Sequence, residues 1–506
     1  MKIVSGISLR LDEDENRALE RAAAESGLHP EKIRALRVVK RSVDARRKND
    51  LRLVYSVRIE EVSDRPPVRE FEQIRTSERP VVAGFGPAGM FCALRLARYG
   101  LRPLVLERGS EVETRTRRVK DYWAGGALDP DCNVQFGEGG AGAFSDGKLT
   151  TLIGDPLCEE VLRDFAAFGA PEEILWNAKP HVGTDNLPRV LKNLRAEILR
   201  LGGEIRFDAK AEDFLIENGA LRALKVKGET LETRHLALAV GHSARDTYRV
   251  LLGKGISAQA KAFSVGVRIE HLAEKINRAQ YGDAYKHPKL GAADYKLVFH
   301  DGTGDSAYTF CMCPGGVVVA SSSEADGIVT NGMSAFARDG INSNSALLVG
   351  VNFDTPEAGI RFQRDLERAA FLLGNGVAPC QRAGDFLAGK PSKTFGEVRP
   401  TYAPSVTFCD LSAFFDARIS GILKRALPAL DRKLHGFAHP DALLTAPETR
   451  TSSPLRFLRN ERYESPSAAG LYPCGEGCGF AGGIISAAVD GIRVADAIAA
   501  DCKKHS

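Results

Sequence analysis

The sequence predicts an α/β fold: a parallel sheet with crossover helices built from two separate stretches of chain, a mainly antiparallel domain inserted between them, and a small α+β unit in front. Three observations carry this. From about Pro80 to His242, short apolar strands alternate with helical stretches such as Phe91–Tyr99 and Arg189–Leu201. From about Ala244 to Glu448 the order changes to Val-, Phe- and Ser-rich runs cut by Gly and Asp turns, among them Ala262–Ile269, Tyr295–Phe299 and Val317–Ser321. Gly470–Ala500 then returns to strand, Gly-rich turn and helix, the piece needed to complete the first sheet.

In chain order, Ile3–Leu11 alternates as a strand and Asp14–Ser26 reads as a helix punctuated by Gly27 and Pro30. Arg34–Val43 and Leu51–Glu61 form a hairpin across the polar turn Asp44–Asp50. The mixed charge and prolines after Ser63 suit a linker. The expected division is 1–62 for the α+β unit, 63–79 for the linker, 80–243 and 449–506 for the two parts of the split domain, and 244–448 for the insertion.

Composition sets outer limits. At 506 residues the chain is long enough for about three domains of roughly 150 residues each. Its 43% hydrophobic and 26% charged content excludes a disordered or fibrous protein. No run approaches the roughly 18 apolar residues of a membrane helix; Leu236–Val240 and Ile484–Val489 end at Gly and Asp. The start turns acidic where an export signal would be apolar, so a cytoplasmic protein is expected, with its ten scattered Cys reduced. A net charge of +4 implies no membrane or nucleic-acid partner by itself.

The strongest motif is Pro80–Arg108, PVVAGFGPAGMFCALRLARYGLRPLVLER. Gly84 permits the tight turn, Gly86 lets the backbone approach a pyrophosphate, and Gly89 lets the helix pack on the strand. Glu107, ending the second strand, can accept both hydroxyls of an adenosine ribose and would repel the 2′-phosphate of NADP. Gly137–Gly142 and Gly477–Gly482 share the G-x-G-x-x-G spacing, but only Gly84–Gly89 has flanking strands, a helix and the acid, so a Rossmann-like dinucleotide site is placed there.

Gly84, Gly86, Pro87, Ala88 and Gly89 together with Glu107 and Arg108 resemble the FAD-binding half of two-dinucleotide-type flavoproteins. Leu471–Glu476 resembles their late strand ending in Gly-Asp, with Gly475 and then Glu476 where the acid would meet the ribityl chain. Gly482, Gly483 and Ile484 open a helix that would aim at the flavin N1–C2=O edge. His235–Val240, ending in Gly241, resembles the strand before the crossover into the second domain. The wider resemblance is to a family of FAD-dependent dehydrogenase-like oxidoreductases, through Phe136–Leu149 (FGEGGAGAFSDGKL), Lys179–Leu187, Phe263–His271, Thr309–Gly316, Thr330–Ser334, Glu448–Pro454 and the N-terminal unit.

That resemblance implies FAD as cofactor and places Gly139, Gly140, Gly142 and Lys148 in a loop along it. No second strand-Gly-helix unit with its own acid appears, so NAD(P)H would serve only as a transient electron donor. The implied reaction is hydride transfer, as a dehydrogenase or reductase, between flavin N5 and a small organic substrate held between the last two domains. A flavin monooxygenase and a flavin-bearing RNA- or protein-binding factor are the alternatives.

Because a flavin carries its own chemistry, the protein must offer binding and electrostatics. His181, Asp185, Arg268, Glu270, His271 and Arg450 are candidates for holding an anionic substrate or moving a proton, and each is equally compatible with a buried salt bridge or cap. Cys311 and Cys313 suit either a redox relay beside the flavin or plain packing. No His or Cys partners sit at metal-ligand spacing around them, so no metal is expected. Cys474 and Cys478 bracket the late turn with the same two readings. Ten basic residues between Lys32 and Arg58 leave an RNA or other anionic partner open, although alternating charge on a hairpin is also a solvated face, and no aromatic stacking platform accompanies it.

Overall fold

The computed structural model describes residues 2–62, 71–302 and 304–504. Residues 63–70 of the expected linker lie outside them.

The N-terminal unit holds β1 (Lys2–Arg10), α1 (Asn16–Ser26), β2 (Ile33–Asp44) and β3 (Arg52–Glu61), an antiparallel sheet in the order β1-β3-β2. Gly27, at φ 68°, ends α1 in the left-handed conformation that glycine adopts freely. Ala18 and Ala22 of α1 pack on Leu53, Tyr55 and Val57 of β3. Many of the hairpin arginines are engaged within the chain. Arg34 and Arg37 pair with Glu60, Arg46 with Asp44 and Arg52 with Asp50. Arg58 pairs with Glu159, and Arg41 lies 4.8 Å over the Trp176 ring.

The next stretch runs β4 (Val81–Ala83), α2 (Pro87–Arg98), β5 (Leu104–Leu106), α3 (Val112–Trp123), α4 (Leu157–Ala167), α5 (Leu187–Arg200) and β6 (Glu204–Arg206). β7 (Ala211–Glu217), β8 (Ala220–Val226), β9 (Glu229–Glu232), β10 (Leu236–Leu238) and α6 (Arg245–Gly253) follow. Here the expected uninterrupted strand–helix alternation is corrected, because β7, β8 and β9 form an antiparallel meander. Asn218-Gly219 and Lys227-Gly228 have positive φ at both positions (51° and 71°, 49° and 77°), the geometry of tight hairpin turns.

The chain continues through β11 (Ala258–Ala260), β12 (Phe263–Leu272), α7 (Ala273–Tyr281), β13 (Val298–His300), β14 (Ser306–Cys313), β15 (Val317–Ala320), β16 (Thr330–Met333) and β17 (Asn342–Val351). Then come α8 (Pro356–Leu373), β18 (Ala378–Arg382), α9 (Ala383–Ala388), β19 (Val406–Phe408), α10 (Ala417–Asp431), β20 (Leu443–Glu448), β21 (Leu455–Phe457), β22 (Leu471–Pro473) and α11 (Ile484–Lys504). Of the expected strand Tyr295–Phe299, only its last two residues enter β13.

Two sheets position the site. The parallel sheet has the order β22-β10-β4-β5-β6, so the C-terminal strand completes it, paired with β10. Successive residues of its strands point to opposite faces: Val82, Val105 and Ala237 pack under α2, α4, α5 and α11, whereas Val81, Leu104 and Leu236 pack against the meander and α6. The second sheet has the order β13-β14-β17-β12-β20-β18-β19 and is antiparallel except for β18 beside β19. α7 and α10 bury one of its faces. Among the described residues no helix is long and apolar enough to cross a membrane.

Candidate functional site

A cleft of about 360 Å³ opens along the carboxyl edge of the parallel sheet, walled on its far side by β14, β16 and the segment after β20. Ligands of open α/β sheets bind at this edge, where successive connections leave in opposite directions. β4 is such a point, with β5 on one side and β10 on the other.

The turn after β4 is shaped by absent side chains. Gly84 has φ 103°, and a Cβ there would meet the Ala239 carbonyl oxygen at 2.2 Å; one on Gly89 would meet the Gly84 carbonyl oxygen at 1.9 Å. Gly86 caps α2 with Pro87 as its first residue, the position where a missing N–H costs nothing. Gly140 faces Gly86 across the cleft floor, and Gly142 abuts Ile484. Gly86, Pro87, Ala88, Gly140 and Gly142 line the cleft. Gly89, Gly139 and Gly475 lie beneath its surface: a Cβ on Gly139 would strike Leu191 at 2.6 Å, and one on Gly475 would strike Ala88 at 2.6 Å.

Glu107 is buried at the end of β5. Its Oε1 accepts from the backbone N–H groups of Gly109 and Gly137, both at 2.9 Å, and its Oε2 from that of Phe85 at 2.7 Å. A carboxylate offers about four lone-pair sites, so roughly one remains, on Oε2. Arg108 lies 4.2 Å over the Phe136 ring and donates to Asp246 at 2.5 Å.

The opposite end of the cleft belongs to β22 and α11. β22 stands three strands from β5, about 14 Å at a strand spacing near 4.8 Å. Glu476, Gly482, Gly483 and Ile484 line this end, and Gly241 follows β10 between the two ends. Burial pushes the Glu476 carboxyl up to about 7, with Lys261 acting the other way. Below the unfolded value near pH 4.5 both states hold the proton. Between there and about pH 7 only the folded chain keeps it, so stability falls as pH rises. Glu476→Gln removes this loss: urea unfolding should show the variant gaining roughly 1–3 kcal/mol on wild type between pH 5 and pH 8.

His242, next to Gly241, also lines the cleft, and the sequence reading missed it. Its signal was position alone, since it follows a strand whose carboxyl end carries the other site loops. Burial, then Arg450 and Arg245, lower its pKa to about 3, so it is neutral at physiological pH, with Nδ1 3.1 Å from the Ser243 hydroxyl. Arg450 reaches the cleft with both Nε and Nη2 on Glu367, at 3.0 and 2.9 Å.

Among the other expected residues, Lys148 and Cys311 line the cleft. Arg268 stands one layer behind, fully buried and bidentate to Glu448 at 2.9 and 2.7 Å. Besides Arg268, five candidates do not reach the cleft, and one of them, Cys313, is buried behind Cys311. His181 stacks on Phe336, 5.0 Å away, and Asp185 accepts from the Phe336 N–H at 2.8 Å. Glu270 accepts from Thr401 and Asn342, while His271 sits between the Phe437 carbonyl and the Tyr295 hydroxyl in the core. All ten cysteines are free thiols, including Cys474 and Cys478.

The family model described as "FAD-dependent protein, C-terminal domain-like" matches residues 262–451, and a domain of unknown function matches residues 1–60. An uncharacterised protein of Clostridium beijerinckii is 47% identical over 521 residues, covering 98% of each chain. Similar solved structures include a geranylgeranyl bacteriochlorophyll reductase-like protein of Thermoplasma acidophilum, with 13% identity over 86% of this chain and 80% of that one, at a TM-score of 0.37. The flavin-dependent brominase Bmp2 shows 12% identity over 83% and 78%, at a TM-score of 0.39. On the near-complete match to the Clostridium protein and the match to the FAD-dependent model, this chain belongs to a family of FAD-dependent proteins, and its cofactor is FAD.

Proposed function

We propose that FAD lies extended along the cleft, adenosine toward Glu107 and isoalloxazine toward Glu476 and Ile484, and that the protein is an oxidoreductase acting by hydride transfer on a small organic substrate. The observation that carries this reading is one continuous cleft with an acid at each end, following strands three positions apart in the sheet, and a glycine turn opening a helix between them. When bound, FAD supplies the hydride chemistry at its N5.

The residues of the chain bind and orient. The N-terminus of α2 presents free N–H groups to the pyrophosphate, worth about 0.3–1 kcal/mol at exposed sites and up to ~2 kcal/mol when partly buried. Glu107 accepts one ribose hydroxyl through Oε2. Glu476, near its half-protonated point at neutral pH, can donate to or accept from the ribityl hydroxyls. The start of α11 favours negative charge on the adjoining flavin edge. His242 offers an uncharged ring for hydrogen bonding. A second cavity of about 470 Å³ shares Phe310, Thr451 and Gly482 with the cleft, and we assign it to the approaching substrate.

Anaerobic mixing of the FAD-loaded protein with NADH, NADPH and a panel of metabolites tests the reaction. Bleaching of the flavin absorbance by at least one of them is expected, and bleaching by dithionite alone overturns it. Oxygen incorporated into product would mark a monooxygenase instead. Glu107→Gln brings an amide NH₂ against backbone donors and removes the charge. A loss of about 1.5–3 kcal/mol per such hydrogen bond predicts FAD affinity at least tenfold weaker by fluorescence titration.

A further inference from the structure

The cleft holds an element that the proposed hydride transfer does not use. β14 keeps register with β17 from Ala307 to Phe310, then slips before Cys313. Cys311 occupies the slip at φ 43°, in the left-handed region that side chains other than glycine seldom adopt. A bulge of this kind re-aims a side chain, and Cys311 is turned into the cleft while Cys313 is buried behind it.

Two cations grip the bulge. Arg268 Nη1 donates to the Cys311 carbonyl at 3.0 Å, and Lys148 Nζ donates to that of Met312. The Cys313 thiol donates to the Cys311 carbonyl oxygen at 3.4 Å. The packing is close on the far side as well: a Cβ on Gly332 would meet Arg268 Nη1 at 2.3 Å and Cys313 Sγ at 3.0 Å. The neighbouring Cys313 thiol, then Lys148 and Arg268, pull the Cys311 thiol below its ordinary value against burial, whereas Cys311 and burial raise Cys313. One sulfur is thus set up as a thiolate and its neighbour as the holder of the proton. Cys311 lines the same cleft as Glu476, and the preceding Phe310 shares the second cavity with Gly482, which sets the pair toward the end of the cleft assigned above to the isoalloxazine.

We propose that Cys311 and Cys313 are a redox dithiol that exchanges an electron pair with the FAD in this cleft by closing and opening a disulfide. In the closing direction the Cys311 thiolate sulfur bonds to the Cys313 sulfur and the Cys313 S–H bond breaks. Two electrons and that one proton pass to the oxidised flavin, and the single negative charge passes with them. Opening reverses each change. The proposal rests on FAD occupying the cleft as described.

Anaerobic dithionite titration of the oxidised FAD-loaded protein tests it, because each disulfide adds one two-electron couple to that of the flavin. Wild type should take up about four electrons per FAD, and Cys311→Ser and Cys313→Ser about two each. Iodoacetamide labelling of the reduced holoprotein at pH 6.5, with sites mapped by mass spectrometry, should modify Cys311 about tenfold faster than the other cysteines. Uptake of two electrons by wild type, or labelling of Cys311 no faster than the rest, overturns the proposal. The wild-type results decide this even where a variant fails to fold. A protein that holds FAD but gives these results leaves the cofactor placement standing, whereas one whose cleft holds no FAD removes both.

Discussion

Gly84→Ala is expected to yield a chain that no longer retains FAD and unfolds at clearly lower denaturant. The methyl group would lie 2.2 Å from the Ala239 carbonyl oxygen and 2.7 Å from its carbon, both backbone atoms of the segment after β10. No side chain can swing aside to relieve that overlap. At φ 103° the alanine would also occupy a backbone conformation that L residues avoid. Overpacking costs about 1–3 kcal/mol and backbone strain of this kind about 1–3 kcal/mol more, against a total stability of about 5–15 kcal/mol. Relief by moving β4 away from β10 would displace the turn that faces the pyrophosphate. Urea unfolding and the FAD content of the purified variant check both parts. An unshifted midpoint with full FAD content would show that the turn tolerates a side chain.

Glu367→Ala should be destabilised by about 3–5 kcal/mol, because it takes the carboxylate from the buried Arg450 and leaves the buried Arg245 with the Glu324 carboxylate alone, at 3.2 Å. Glu367 receives Arg245 at 2.8 and 2.9 Å, Arg450 at 3.0 and 2.9 Å, and the Thr449 hydroxyl at 2.8 Å. All three charged side chains are at most 3% exposed. Against burial, which pushes it up, the two arginines hold the Glu367 carboxyl down to about 2. Its stabilisation is therefore present above the unfolded value near pH 4.5 and fades as pH falls toward 2. Glu367→Gln keeps some of the hydrogen bonds and none of the charge, so its loss should be intermediate. Because Arg450 faces the cleft and Arg245 does not, the Ala variant should also disturb FAD binding. Equilibrium unfolding at pH 7 and at pH 3 reads the effect, and a smaller difference between wild type and variant at pH 3 is required.

The parts of the fold written in local chemistry were legible in the sequence. Gly84, Gly86 and Gly89 stand at fixed spacing between two strands because each meets a separate steric demand, and the structure shows the demand at Gly84 and Gly89 directly. The return of Leu471–Pro473 to the first sheet was readable because a strand, a Gly-rich turn and a helix recur after a long antiparallel stretch. Other features depend on distant partners. The slip of β14 against β17 is a property of the pair, so nothing near Cys311 announces it. The backbone donors that occupy Glu107 come partly from Gly137, thirty residues away.

The core position of His271 follows from strand periodicity. Along β12, Val265, Val267 and Ile269 face the core under α7 and α10, and a period of two puts His271 on that same face. Arg268 falls on the opposite face, toward Glu448 and the cleft. His242, in contrast, belongs to a loop, where periodicity says nothing.

The most direct test of the cofactor placement is an experimental structure of the FAD-loaded chain. The expected result is an extended FAD, its ribose hydroxyl on Glu107 Oε2, its pyrophosphate at the Gly86–Ala88 turn and its ring system between Glu476, Ile484 and Cys311. FAD bound in the reverse direction, or in any other cavity, would contradict it.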